Sequence, residues 1–184
     1  MTSITDSAHH TLTCHPQTPS EAIQGIDVVV GGAAGGNLTL AFALEGDLSA
    51  LRIPEPQPSR RGHGLWRHTC CEVFVMAGQG PGYREFNFSP SGEWAVYAFH
   101  GYREGRELEL ELSPGIVVQR NADRLELYAE IRADLLPPGG SLRLALSAVV
   151  EDADGTLSYW ALRHLPGKPD FHHTDAFALQ LGYP

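Results

Sequence analysis

Hydrophobic and polar residues alternate along this chain in short runs. They do not return every three or four residues, as a helix face would require. Residues 26–30 (Ile-Asp-Val-Val-Val) and 38–44 (Leu-Thr-Leu-Ala-Phe-Ala-Leu) flank a glycine-rich cluster, which predicts a hairpin. Residues 106–112 alternate strictly, with glutamates between leucines, and predict a half-buried strand. Residues 115–120 and 124–131 predict a second strand pair around Asn121-Ala122-Asp123. Residues 142–150 and 156–162 predict two strands joined by an Asp-Gly turn, and 176–181 closes the sheet. The pattern implies ten or more short strands. The fold class expected is all-β, an antiparallel β-sandwich or jelly roll with little helix.

The stretch 65–101 organises the rest. Three strands separated by turns can be read in it, each mixing polar with aromatic positions. Glu85 and Asn87 are threaded between Phe86 and Phe88, which a purely structural hairpin does not need. Before it, residues 53–64 carry Pro54, Pro56 and Pro58; this spacing forbids helix and disfavours a paired strand. That segment is read as a long loop crossing between sheets. Residues 1–25 are polar and are read as a partly ordered N-terminal leader, with at most one helical turn after Ser20. Residues 26–184 then form one domain.

A length of 184 residues suits a single domain with its own core. The net charge of −9 argues against a general phosphate-backbone binder, so nucleic acid is not expected as a partner. Cys14, Cys70 and Cys71 make a poor disulfide framework, because neighbours on a strand point to opposite faces. They read as reduced thiols. The first residues show no basic region followed by an apolar run, and no segment approaches a membrane helix in length. A cytoplasmic protein without a membrane partner is expected; the oligomeric state is left open.

Trp66 and Trp160 are the candidate stacking residues, because aromatic faces bind the C–H surfaces of sugar rings. Both lie near strand ends beside loops, whereas Trp94 sits mid-strand and reads as core. The plainer alternative is that all three are core. Glu72, Glu85 and Asn87 are candidate hydrogen-bonding partners for a polyol; a solvated face or an ion pair with a nearby arginine is the alternative. His68 joins them from the same segment. In the final loop, His164, Lys168, Asp170 and His172 stand among aromatics in a density unlike a plain connector. A loop tied down by its own histidines and aspartates is the competing reading.

Other chemistries are weaker. His172 and His173 are adjacent, a spacing that does not aim two side chains at one ion, and no metal ligand set is assigned. Met76 and His100 are available as axial ligands for heme. The glycines at 31–36 and 78–82 precede no helix and so form no phosphate cradle. Glu72 and Glu85 as a hydrolytic pair would need matched separation on opposite faces of a sugar ring.

Residues 65–72 (Leu-Trp-Arg-His-Thr-Cys-Cys-Glu), 85–94 (Glu-Phe-Asn-Phe-Ser-Pro-Ser-Gly-Glu-Trp) and 168–173 (Lys-Pro-Asp-Phe-His-His) resemble a bacterial DOMON-like family. That family is similar to the family 9 carbohydrate-binding modules, and its members are often labelled relatives of UDP-N-acetylmuramate dehydrogenase. The chain has no flavin-binding machinery, so that activity is not carried over. The resemblance runs from about His15 to Leu181. It implies a sugar held between two tryptophans, with a glutamate on its hydroxyls. These roles would fall on Trp66, Trp160 and Glu72, with Glu85 and Asn87 from the next strand. Because other DOMON domains bind heme, the resemblance implies heme as the alternative cofactor. The function expected is a non-catalytic module for a small ligand, a sugar or sugar derivative. A heme or redox module is the second expectation and a sugar-active enzyme the third.

Overall fold

The computed structural model describes residues 5–32, 34–78, 80–111 and 113–182. Among these residues twelve strands appear: β1 (Thr5–Cys14), β2 (Ile23–Gly32), β3 (Leu38–Gly46), β4 (Cys70–Ala77), β5 (Tyr83–Phe88), β6 (Trp94–Gly101), β7 (Glu104–Glu107), β8 (Gly115–Arg120), β9 (Arg124–Ile131), β10 (Ser141–Glu151), β11 (Leu157–Ala161) and β12 (Leu179–Gly182). Helical structure among the described residues is limited to single 3-10 turns. The strand order is β7-β6-β5-β4-β10-β11-β1-β2-β3-β9-β8, with β12 beside β10. The strands pair antiparallel. This path folds into two layers that share β1, which pairs with β2 in one layer and with β11 in the other. The all-β sandwich expected from the alternation is therefore what forms.

The layers bury their facing residues against each other. Val28, Leu40, Phe42 and Leu127 of the first layer join Val73, Phe86, Leu144 and Leu146 of the second in one core. Strand β3 shows the cause directly: Leu38, Leu40, Phe42 and Leu44 are buried while the residues between them are not. Burying one such side chain stabilises the fold by about 1.5–3 kcal/mol.

The second layer is covered on both sides. Seven consecutive residues of β4, Cys70 to Met76, are buried. Their inner set (Cys71, Val73, Val75) meets the main core. On the outer face, Phe74 and Met76 join Tyr83 and Ala145 beneath Phe171, Ala176 and Phe177. These last residues come from the segment 163–178, which leaves β11 and roofs that face. Its two ends are pinned to one strand: β11 pairs with β10 from Ser147 to Glu151, and β12 pairs with it from Ser141 to Leu144. Leu162 N–H donates to Leu146 O at 2.9 Å between them.

Two expectations are corrected. The residues read as a leader form β1 from Thr5 onward; residues 1–4 lie outside the described part. The strand was hidden because its register with β2 buries Leu12 while His9 and Thr11 stay exposed, so few apolar residues mark it. The strand predicted at 106–112 ends at Glu107, and Leu112 lies outside the described residues. Leu108 and Leu110 pack partly buried against the core without a strand partner beyond one bond, Leu108 N–H to Val96 O. Residues 53–64 cross between layers as an irregular loop, touching the sheet at the Arg61–Trp94 bridge.

Candidate functional site

The register of the second layer places its outer-face residues in rows. One row runs Ala161, Ser147, Glu72, Asn87, Ala95; the next runs Ala145, Phe74, Glu85, Tyr97, Glu107. A third runs Arg143, Met76, Tyr83, Phe99, Gly105. Glu72 and Glu85 are thus diagonal neighbours, a separation of roughly 7–8 Å between backbones. Above them opens a cleft of about 510 Å³. Its floor is Glu72, Phe74, Glu85 and Val149; Tyr97, Phe99, Tyr159 and Phe171 are aromatic walls; Trp66, Arg103, Lys168 and His172 stand around it.

Each wall has a local cause. The 3-10 turn Leu65–Arg67 follows Gly64, whose φ of 64° lies in the left-handed region. Leu65 anchors that turn in a small cluster with Cys70, Ala95 and Tyr97, which leaves Trp66 46% exposed at the cleft. Arg67 lies over the Trp66 ring, 5.1 Å from its centroid. Phe99 stacks on Tyr83 at 4.7 Å and is crossed by Gly105, where a Cβ would come within 2.6 Å of the Phe99 ring.

The floor is electrostatically unusual. Glu72 is buried and accepts from Ser147 Oγ at 3.2 Å. Burial drives its pKa well above the usual carboxylate range, the charge of Glu85 pushes the same way, and the Ser147 bond opposes. Burial raises Glu85 to about 7, against the pull of the Asn87 amide and Arg103. Burial thus disfavours the charged form of both carboxyls, and Glu85 is brought to titrate near neutrality. A carboxyl that keeps its proton can donate as well as accept, whereas an ionised one only accepts. Asn87 has no exposure, and neither of its amide atoms has a hydrogen-bond partner. It influences Glu85 without reaching bonding geometry.

His172 is held by its neighbours. Arg103 N–H donates to Tyr83 Oη at 3.1 Å, and Tyr83 Oη lies 2.9 Å from His172 Nδ1. With the Tyr83 proton on Nδ1, the neutral ring would carry its hydrogen on Nε2. That nitrogen stands 3.8 Å from Glu85 Oε2. Burial, aided by Arg103, lowers His172 to about 4. It is neutral at physiological pH.

Of the predicted residues, Trp66, Glu72, Glu85, Lys168 and His172 line this one cleft. The others do not. Trp160 points into the sandwich core at 5% exposure, its Nε1–H donating to Ser158 Oγ at 3.0 Å. Strand alternation puts Tyr159 on the cleft side instead, so the two tryptophans do not face each other. His68 binds Glu151 at 2.7 Å, a carboxylate also held by Arg52, away from the cleft. His164 Nε2–H donates to Thr13 O at 2.7 Å and meets His15 edge-on, tying the roof to β1. Asn87 lies beneath the surface beside Glu72. Asp170 is a clasp: it accepts from Tyr102 Oη at 2.6 Å, Arg103 Nη2 at 3.0 Å and His172 N–H at 3.0 Å. Phe74, Tyr97, Phe99, Arg103, Tyr159 and Phe171 were missed. Phe74 follows from Glu72 by period two; the rest depend on cross-strand register and the roof.

Trp94 lies in the main core. For heme, Met76 Sδ accepts from Arg143 Nη2 at 2.8 Å, and His100 is exposed beside Glu104; neither lines the cleft. His173 Nδ1 accepts from Asp175 N–H at 3.2 Å, and no group of three or more metal-ligating side chains occurs among the described residues.

The fold is shared with solved structures. It is similar to a "putative carbohydrate-binding protein" from Bacteroides uniformis, with a TM-score of 0.72 and 14% identity over 96% of this chain and 85% of that one. It is also similar to a family 9 carbohydrate-binding module from Caldicellulosiruptor kristjanssonii, solved in complex with glucose, with a TM-score of 0.51 and 9% identity over 81% of this chain and 71% of that one. No family model and no curated protein matches the chain.

Proposed function

We propose that this protein is a non-catalytic module that binds a sugar or sugar derivative in the cleft over Glu72 and Glu85. The observation that carries the reading is the pairing of aromatic walls with two buried carboxyl groups, Glu72 and Glu85, on one floor, where burial disfavours their charged forms. Rings pack on the walls. Hydroxyls meet two carboxyl groups on the floor, and burial lowers the cost of holding both by disfavouring their charges. The shared fold with carbohydrate-binding proteins and the DOMON-like resemblance of the sequence support it. Hydrolysis is not proposed, because both carboxyls lie in one floor and would meet the same side of a ring.

Calorimetric and fluorescence titration with a panel of mono- and disaccharides tests the reading. Binding that weakens strongly in Trp66→Ala and Glu72→Gln is expected. Silence across neutral and acidic sugars alike, with Trp66→Ala behaving as wild type, rejects it.

A further inference from the structure

Lys168 is the single lysine of the chain, in a protein of net charge −9. It stands exposed at the cleft and makes no ion pair or hydrogen bond among the described residues. Arg103 stands beside the same opening. Its φ of 57° makes it the one non-glycine in the left-handed region among the described residues. Such a conformation costs of order 1–3 kcal/mol and persists only where the surroundings hold it. Here they do: its N–H donates to Tyr83, its Nε to Tyr102 at 3.2 Å and its Nη2 to Asp170 at 3.0 Å.

A second depression, of about 590 Å³, continues outward from the cleft and shares Arg103, Lys168 and Pro169 with it. The two cations therefore sit where the floor site passes into the outer one. Asp170, which also lines the outer depression, is already engaged by Arg103 and Tyr102. Lys168 has no such partner.

We propose, resting on the sugar-binding reading above, that the preferred ligand is a saccharide bearing an anionic group, carboxylate or phosphate, held at Lys168 and Arg103. A neutral ring part occupies the aromatic cleft and the anion lies at its mouth. Burial keeps negative charge on the floor low, so the floor does not oppose an anion placed outside it. A charge-assisted bond to a lysine that no carboxylate competes for raises affinity for the acidic ligand above that for its neutral counterpart.

Titration with glucose, glucuronate and glucose 6-phosphate tests this, in wild type and Lys168→Gln, at about 20 mM and about 300 mM salt. Lys168 is exposed, so the substitution leaves folding intact. At low salt one of the two anions is expected to bind roughly tenfold more tightly than glucose. Glucuronate leading identifies a carboxylate ligand; glucose 6-phosphate leading identifies a phosphate. The advantage, read as the ratio of each anion's affinity to that of glucose in the same variant, is expected to shrink at high salt and to fall severalfold in Lys168→Gln. Glucose binding as tightly as both anions, or an advantage that survives Lys168→Gln undiminished, overturns the inference and leaves the sugar reading standing. No binding of any of the three removes both.

Discussion

Tyr83 Oη lies 2.9 Å from His172 Nδ1, which leaves Nε2 facing Glu85 Oε2 at 3.8 Å. The tyrosine accepts the Arg103 N–H, and the Nε2–H form of the ring is the one in which it also donates to the histidine. The ring should hold the Nε2–H form, neutral, across the physiological range. Long-range nitrogen–proton NMR is expected to show that form unchanged from about pH 8 to about pH 5.5. A midpoint near the ordinary histidine value would contradict the arrangement. Because the folded pKa is depressed, from 6.5 to about 4, the unfolded chain takes up the proton first. His172 thus costs stability only as pH falls below about 6.5, growing towards 4.

Glu85 has the opposite sign. Its folded pKa is raised from 4.5 to about 7, so the folded state holds the proton longer than the unfolded one. Stability falls as pH rises through this window and stays lowered above it. The full shift corresponds to about 3 kcal/mol. Glu85→Gln is expected to gain stability at pH 8 relative to wild type, by up to about that amount, and to gain little at pH 4.5. Urea denaturation at the two pH values measures it; equal effects at both would remove the buried, titrating carboxyl from the account.

Trp66 and Trp160 should part company under mutation. Trp66 is 46% exposed and belongs to none of the buried clusters, so Trp66→Ala is expected to cost far less stability than a core truncation while weakening ligand binding. Trp160→Ala opens the core and should cost about 3–5 kcal/mol. Thermal melts beside fluorescence titration separate the two, and a stability loss at Trp66 as large as that at Trp160 would refute the placement.

Asp170 fastens the roof to the β6–β7 turn through Tyr102, Arg103 and the His172 amide. Asp170→Ala is expected to cost about 1–2 kcal/mol, discounted because Arg103 is half exposed. Hydrogen exchange should quicken at His172 and Arg103 before the core strands respond. Uniform acceleration, or none, would deny the clasp.

Cys70 and Cys71 are buried, and burial raises both thiols. Neither should react with a soluble alkylating reagent in the folded protein, whereas Cys14, partly exposed, should react slowly. Mass spectrometry of the native and denatured protein distinguishes them.

Most of the fold was legible because alternation reports one-sided burial directly. Strands β2, β3, β9 and β10 declare themselves through residues such as Leu40, Phe42, Leu127 and Leu144. Strand β1 did not, since few apolar residues fill its inward face. The floor of the site was readable for the same reason: Glu72, Glu85 and Asn87 are polar residues inside otherwise apolar runs. The second aromatic wall was not. Trp160 and Tyr159 differ by one position, and choosing between them needs the register with Val149 and Ala148, which no local pattern contains. Arg103 was missed because its place depends on a hairpin turn meeting the roof.

The segment from 163 to 178 leaves and returns beside a single strand, β10, at points only a few residues apart. Whatever lies between those two fixed points can lengthen, shorten or change its chemistry without shifting the register of the floor. The roof is in effect an exchangeable cassette. On the proposed reading, ligand preference would be rewritten there, at Lys168 and its neighbours, while the buried carboxyls below keep their places.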